Sequence, residues 1–392
     1  MLAGVWLAYF CFGSVSAAIA PLVSQVTHEL DLTHTQMGSI LGAWQLVYIG
    51  AAIPAGGLLD RIGPRRAIAL GTLVVAASGI MRGFATDYWT MLIAVATFGI
   101  GGPLISVGAP SVIARWFVGR ERGLAMGLYN VGQALGMIGA LSLTSSVGLT
   151  LANGNWRAVL IGYGVFALIA ALIWYAISSH ADSRAMEMRN AAEPRRSQGG
   201  VVLELLRAPA LRIVLLLAVG TFFFGHGLSN WLPEILRSDG MDPATAGLWA
   251  SIPVVIGIFG ALIFPRLAIP RRRMAILTFL FVLQMMAPLF LEWGAATPWV
   301  QATGLVMQGL ARGTLSIVVM LMLMELKEVT PARMGAAGGM YFTAGEIGGV
   351  LGPLSIGTLY DLTGGFAASL YFLAALCAWQ VAMLSRLKKA LK

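Results

Sequence analysis

The chain has 392 residues, of which 58% are hydrophobic and 11% charged, and a formal net charge of +9. Soluble domains carry about a quarter charged residues, so a chain with less than half that share cannot keep the surface of a globule wet. Soluble enzymes, nucleic-acid readers and secreted scaffolds are thereby excluded, and a polytopic membrane protein remains.

The apolar residues fall in runs of about 20, the length a helix needs to cross a hydrocarbon core of about 30 Å. In chain order they predict twelve spans, at 3–24, 37–59, 67–84, 89–114, 123–148, 156–177, 210–233, 244–265, 274–291, 297–323, 334–359 and 366–386. In the first, Ala18-Ile19-Ala20 has the small residues of a peptidase site. Met1 to Gly4 bring no basic residue, however, and the run continues to Val23, so a retained helix is expected. Between spans 6 and 7 the polar stretch Ser178 to Arg207 reads as a linker. The expected organisation is an all-α protein of two pseudo-symmetric six-helix bundles, 1–177 and 209–392, joined by a cytoplasmic linker at 178–208.

With both termini placed in the cytoplasm, 22 of the 26 Lys and Arg fall in cytoplasmic segments. That asymmetry sets the predicted topology and explains the positive charge without a nucleic-acid partner. The two cysteines, Cys11 and Cys377, lie in apolar runs and read as core residues.

The halves are related at an offset of 212. Residues 9–21 (YFCFGSVSAAIAP) lie over 221–233 (TFFFGHGLSNWLP), pairing Gly13 with Gly225 and Pro21 with Pro233. Residues 123–136 lie over 335–348, pairing Gly123 with Gly335, Tyr129 with Tyr341 and Gly136 with Gly348. One offset serves spans 1/7 and 5/11, which points to a six-plus-six duplication.

Between spans 2 and 3 stands Gly57-Leu58-Leu59-Asp60-Arg61-Ile62-Gly63-Pro64-Arg65-Arg66, with a weaker copy from Pro265-Arg266 to Arg273. With the preceding Gly56 as its first glycine, the Gly57 to Arg66 segment matches, at every specified position, the loop G-x-L-x-D-R-x-G-x-R-[RK] of the major facilitator superfamily, which the whole chain resembles. The glycines permit a tight turn, and the arginines suit an anionic inner leaflet. The resemblance implies that Asp60, Arg61, Gly63 and Arg65, with Arg115 in the next such loop, form a latch against the start of span 11 near Pro331 that holds one side shut. Arg115-Trp116-Phe117 with Arg122-Gly123-Leu124-Ala125-Met126-Gly127 is similar to a pattern of anion-handling branches, among them nitrate porters and organic-acid transporters. Drug antiporters of the superfamily place an arginine where Val95 precedes Gly99-Ile100-Gly101, and a Gly-Pro where this chain has Gly136-Met137.

A charge at mid-bilayer is expensive and needs a reason. Arg312 lies at the centre of span 10 and Glu346 at the centre of span 11. They read either as a structural ion pair or as an anion contact with its counter-charge or proton carrier. The second is favoured, because Ser or Asn could make a structural tie at lower cost. His226 in span 7 reads equally as a packing residue and as a ligand contact or proton relay. Gln45, Tyr48, Asn130 and Gln133, in the central third of spans 2 and 5, read singly as interhelical ties and as a set as hydrogen-bonding walls of a cavity. Trp44 reads equally as a ligand stack and as packing, and Tyr341 is a further candidate binding residue. Asn230 and Trp231 are placed at an outer gate. No Gly-rich phosphate loop, metal-ligand spacing or catalytic triad is present in the sequence, so no cofactor, metal or catalytic residue is expected.

The function expected is therefore proton-coupled uptake of a small organic anion, carboxylate-like, by a monomer in a bacterial inner membrane. As the resemblance implies, it works by alternating access around a midplane site. The alternative is export of an amphipathic drug or metabolite by proton antiport.

Overall fold

The computed structural model describes residues 1–117, 119–180, 201–330 and 333–390. Eleven helices among these are long and apolar enough to span a membrane. They are α1 (Leu2–Glu29), α2 (His34–Leu59), α3 (Arg61–Gly83), α4 (Tyr88–Trp116), α5 (Glu121–Leu151), α6 (Trp156–Ser178), α7 (Pro209–Ser238), α8 (Pro243–Leu267), α9 (Arg273–Trp293), α10 (Pro298–Met324) and α12 (Ala367–Ala390). The twelfth, α11, is a 30-residue helix, Met334–Thr363. It falls below the apolarity of the rest because it carries eight glycines and Glu346.

Local chemistry sets the ends of these helices. Thr33 caps α2 in a reciprocal box with Gln36, and Asp87 caps α4 in the same way with Thr90. Asn155 caps α6 by accepting from the backbone N–H groups of Arg157 and Ala158. Gly364 ends α11 in the left-handed conformation that an L side chain resists. Gly63, at φ 78° and ψ 157°, breaks the helical path in the first turn of α3, and the following Pro64 restarts it. Pro21 lies in a 3-10 turn, Ala20–Leu22, that interrupts α1.

The described chain divides into two compact units. One is Met1–Arg195 with Asp242–Leu248, and the other is Arg196–Met241 with Trp249–Lys392. In the first unit α1 packs on α5 and α6, and the α2–α3 pair packs on α4 and α6. In the second, α7 packs on α11, and α9 packs on α10 and α12. The same partnerships thus recur in both units.

Glycines set the closest approaches. A methyl added at Gly136 of α5 would collide with the Phe10 carbonyl of α1, and one at Gly348 of α11 with the Val219 carbonyl of α7. Gly99 sits likewise against the Trp44 carbonyl, and Gly313 against that of Gly257. Small residues that let helix backbones touch are the usual currency of association in lipid, where apolar burial offers no driving force.

The end of the linker is ordered on the second unit. In the short helix Val201–Leu205, the Leu205 side chain enters the core beside Val329, Ala336 and Ala337. Glu204 pairs with Arg333 at 2.9 Å. The weaker loop copy has a comparable tie, since Arg273 pairs with Glu325 and donates from Nε to the Ala268 carbonyl at 2.9 Å. Asp60, Pro331 and most of the linker, 181–200, lie outside the described residues, Asp60 in its side chain only.

Candidate substrate site

The mid-depth charges gather in the second unit. Arg312 stands in the middle of α10, partly exposed, and no hydrogen bond or ion pair joins it to another described residue. Its closeness to α7 follows from a missing side chain, because a Cβ built on Gly225 would lie 4.0 Å from Arg312 Nε. The guanidinium therefore runs alongside the turn that carries His226.

Glu346 is buried, at 8% exposure, on the face of α11 that meets α7. Its Oε2 accepts no hydrogen bond among the described residues. The nearest opposite group is His226 Nε2, at 3.9 Å from that oxygen. This is too long for a direct hydrogen bond, but it sets the imidazole and the carboxylate face to face. Arg312 and Glu346 do not form an ion pair, so of the two sequence readings the structural tie is not the arrangement adopted. Phe222, one turn before His226, flanks the imidazole with ring centroids 5.9 Å apart. The glycine contacts between α7 and α11 hold His226 and Glu346 in register.

Several residues read from sequence as binding or gate residues are committed elsewhere. Tyr341 is 1% exposed and donates its hydroxyl to the Ser316 carbonyl at 2.8 Å, tying α11 to α10. Trp231 is fully buried and donates from Nε1 to the Pro353 carbonyl at 2.9 Å, so it is a core tie and not a gate. Asn230 donates its amide to the His226 carbonyl one turn back at 2.9 Å.

In the first unit, Gln45 is fully buried, while Trp44 sits among Phe12, Phe98 and Tyr48. Tyr48 shares a hydrogen bond with Ser106 at 2.7 Å, a partner on α4 that the sequence reading missed. Gln133 is partly exposed. Asn130 is exposed and turns its amide onto the Met126 carbonyl of its own helix. Of the loop residues, Arg65 is buried and donates to the Ser178 carbonyl at 3.3 Å, Arg61 is exposed, and Arg115 is partly exposed.

The fold and the placement of these charges define a class, the polytopic solute transporters. The profile of the Major Facilitator Superfamily matches residues 5–353, and the chain belongs to that family. It is 27% identical to a probable L-galactonate transporter of Escherichia coli (strain K12), across 61% of this chain and 54% of that protein's length. A quinolone resistance transporter of Acinetobacter baumannii is 26% identical across 88% of this chain and 86% of its own. Among solved structures, a mutant of the nucleoside transporter NupG superposes with a TM-score of 0.80 over 99% of both chains, at 16% identity. The protein is a membrane transporter and not an enzyme.

Proposed function

We propose that the chain takes up a small organic anion with protons, and that Arg312 is the residue that receives the anion's carboxylate. The observation that carries this reading is a partly exposed guanidinium at mid-helix with no counter-charge among the described residues. A planar fork of donors matches a carboxylate, and a cation left unmatched at that depth is costly unless a ligand supplies the balance. The similarity to a transporter of the sugar acid galactonate agrees with an anionic substrate. Glu346, with His226 beside it, is the proton carrier.

The surplus of basic residues in alternate loops favours an inner-membrane placement with both termini cytoplasmic. In this reading the halves are 1–177 and 209–392 and the protein acts as a monomer. The positive φ of Gly63 supports the reading of Asp60, Arg61, Gly63, Arg65 and Arg115 as a latch, since that loop needs the turn. A second reading, export of an amphipathic compound, draws on the similarity to a quinolone resistance transporter.

Uptake by purified protein in liposomes, driven by an imposed inward proton gradient, separates the two. A panel of labelled carboxylates should include one that accumulates in wild type, at least about tenfold less in Arg312→Ala, given that a charged hydrogen bond of about 1.5–3 kcal/mol is lost. Glu346→Gln should lose gradient-driven accumulation. Transport of quinolones, with no carboxylate accumulated, contradicts the uptake reading.

A further inference from the structure

The charges of the membrane helices have an unusual distribution. Apart from Arg312 and Glu346, every Arg, Lys, Asp and Glu of the twelve helices lies within five residues of a helix end. Arg312 stands 14 residues from the start of α10, and Glu346 stands 12 from the start of α11. With the imidazole neutral, the mid-depth charge sums to zero, yet the two charges are not paired. Glu346 faces His226 at 3.9 Å while Arg312 has no ion-pair partner among the described residues.

We infer that the substrate carries one negative charge, and that each anion enters together with one proton held between His226 and Glu346. This rests on the reading of Arg312 as the anion contact. One anion on Arg312 leaves the carboxylate of Glu346 unbalanced, and one proton from solvent, taken on Glu346 Oε2 or His226 Nε2, restores neutrality. A dianion carried with one proton leaves an uncompensated charge at mid-depth, the state that a low-dielectric surround penalises most. Linkage makes the effect reciprocal, so the anion raises the proton affinity of the pair and the proton raises the affinity for the anion.

The titratable and charged groups on the helices packed against the pair are few. They are Arg312 of α10, Tyr341 of α11, whose hydroxyl is committed to Ser316, Tyr360 near the end of α11, and Cys377 and Tyr371 of α12. The remaining charges of these helices lie at their ends. All three participants sit in one compact unit. His226 and Glu346 are carried on helices whose backbones touch at Gly348 and Gly352, so their spacing is fixed by packing.

Calorimetric binding of D-gluconate, with one carboxylate, and D-glucarate, with two, tests this on the purified full chain. Repeating the titration at pH 8 in buffers of different ionisation enthalpy counts the protons taken up per anion. Expected are gluconate bound with close to one proton, glucarate at least about tenfold weaker, and in Glu346→Gln gluconate bound with no proton taken up. Equal or tighter glucarate binding overturns the inference, as does zero proton uptake in wild type, a measurement that needs no variant. Gluconate binding retained in Arg312→Gln instead refutes the anion contact itself. Binding of neither anion to wild type overturns both.

Discussion

Arg82 shows how far a single residue can depart from its place in a pattern. It stands near the end of α3, where a charge can reach the aqueous phase, yet it is 1% exposed and donates to the Val15 carbonyl at 2.6 Å. The Phe98 ring lies 5.6 Å from its guanidinium carbon. It ties α3 to the last turn of the first stretch of α1, where the carbonyls have no onward helical partner. No charge pattern announces that role, because the accepting group is backbone.

Asp239, in the loop after α7, gives the residue-scale prediction. It accepts a hydrogen bond from Gln301 Nε2 at 2.7 Å, and burial together with nearby Glu292 pushes its carboxyl up to about 6. Since the folded value lies above the unfolded one of about 4, the stabilising contribution is complete below about pH 4 and is lost as pH rises through 6. Thermal midpoints of wild type should therefore fall between pH 5 and 7.5 more steeply than those of Asp239→Asn. Equal slopes would show that this carboxyl does not titrate there. The mid-depth charges Arg312 and Glu346 were legible from sequence, since any charge inside an apolar run is conspicuous. Their failure to pair was not legible, because equal depth does not fix which face of each helix a side chain takes.

At the level of elements, glycine contacts decide which helices touch. At Gly348 a methyl would strike the Val219 carbonyl, and backbone cannot step aside as a flexible side chain can. Gly348→Ala should cost about 1–3 kcal/mol by overpacking. Gly162 on α6 is exposed with nothing near its Cβ position, so Gly162→Ala should be neutral or gain up to about 1 kcal/mol. Melting curves of the two variants in one detergent compare them, and equal loss would mean that the α7–α11 contact is loose.

Helix number and order were readable from hydropathy, and the offset of 212 matched Gly136 with Gly348, but that these glycines set the α1–α5 and α7–α11 contacts emerges only in the structure. The ends were harder. α1 reaches Glu29, five residues beyond the expected end, and α7 reaches Ser238, because polar residues continue a helix once it has left the apolar region. Tyr341 was misjudged for a related reason. An aromatic residue on a glycine-rich helix resembles a cavity wall, whereas its hydroxyl is spent on the Ser316 carbonyl of the neighbouring helix.

For the whole molecule, the assignment to the Major Facilitator Superfamily is carried by the chain at every level, from the Asp60–Arg66 loop to the repeated pairings within each unit. In the function proposed, the substrate is encoded more locally, in Arg312 and what it meets. A shared fold hosts many solutes, and the NupG superposition at 16% identity speaks to architecture alone. The account stands on Arg312, and solute counterflow tests it without any proton gradient. Liposomes preloaded with an unlabelled organic acid that is a substrate should draw in labelled acid through wild-type protein. Arg312→Gln, folded and melting as wild type does, should draw in none. Counterflow by Arg312→Gln at the wild-type rate would contradict the anion contact.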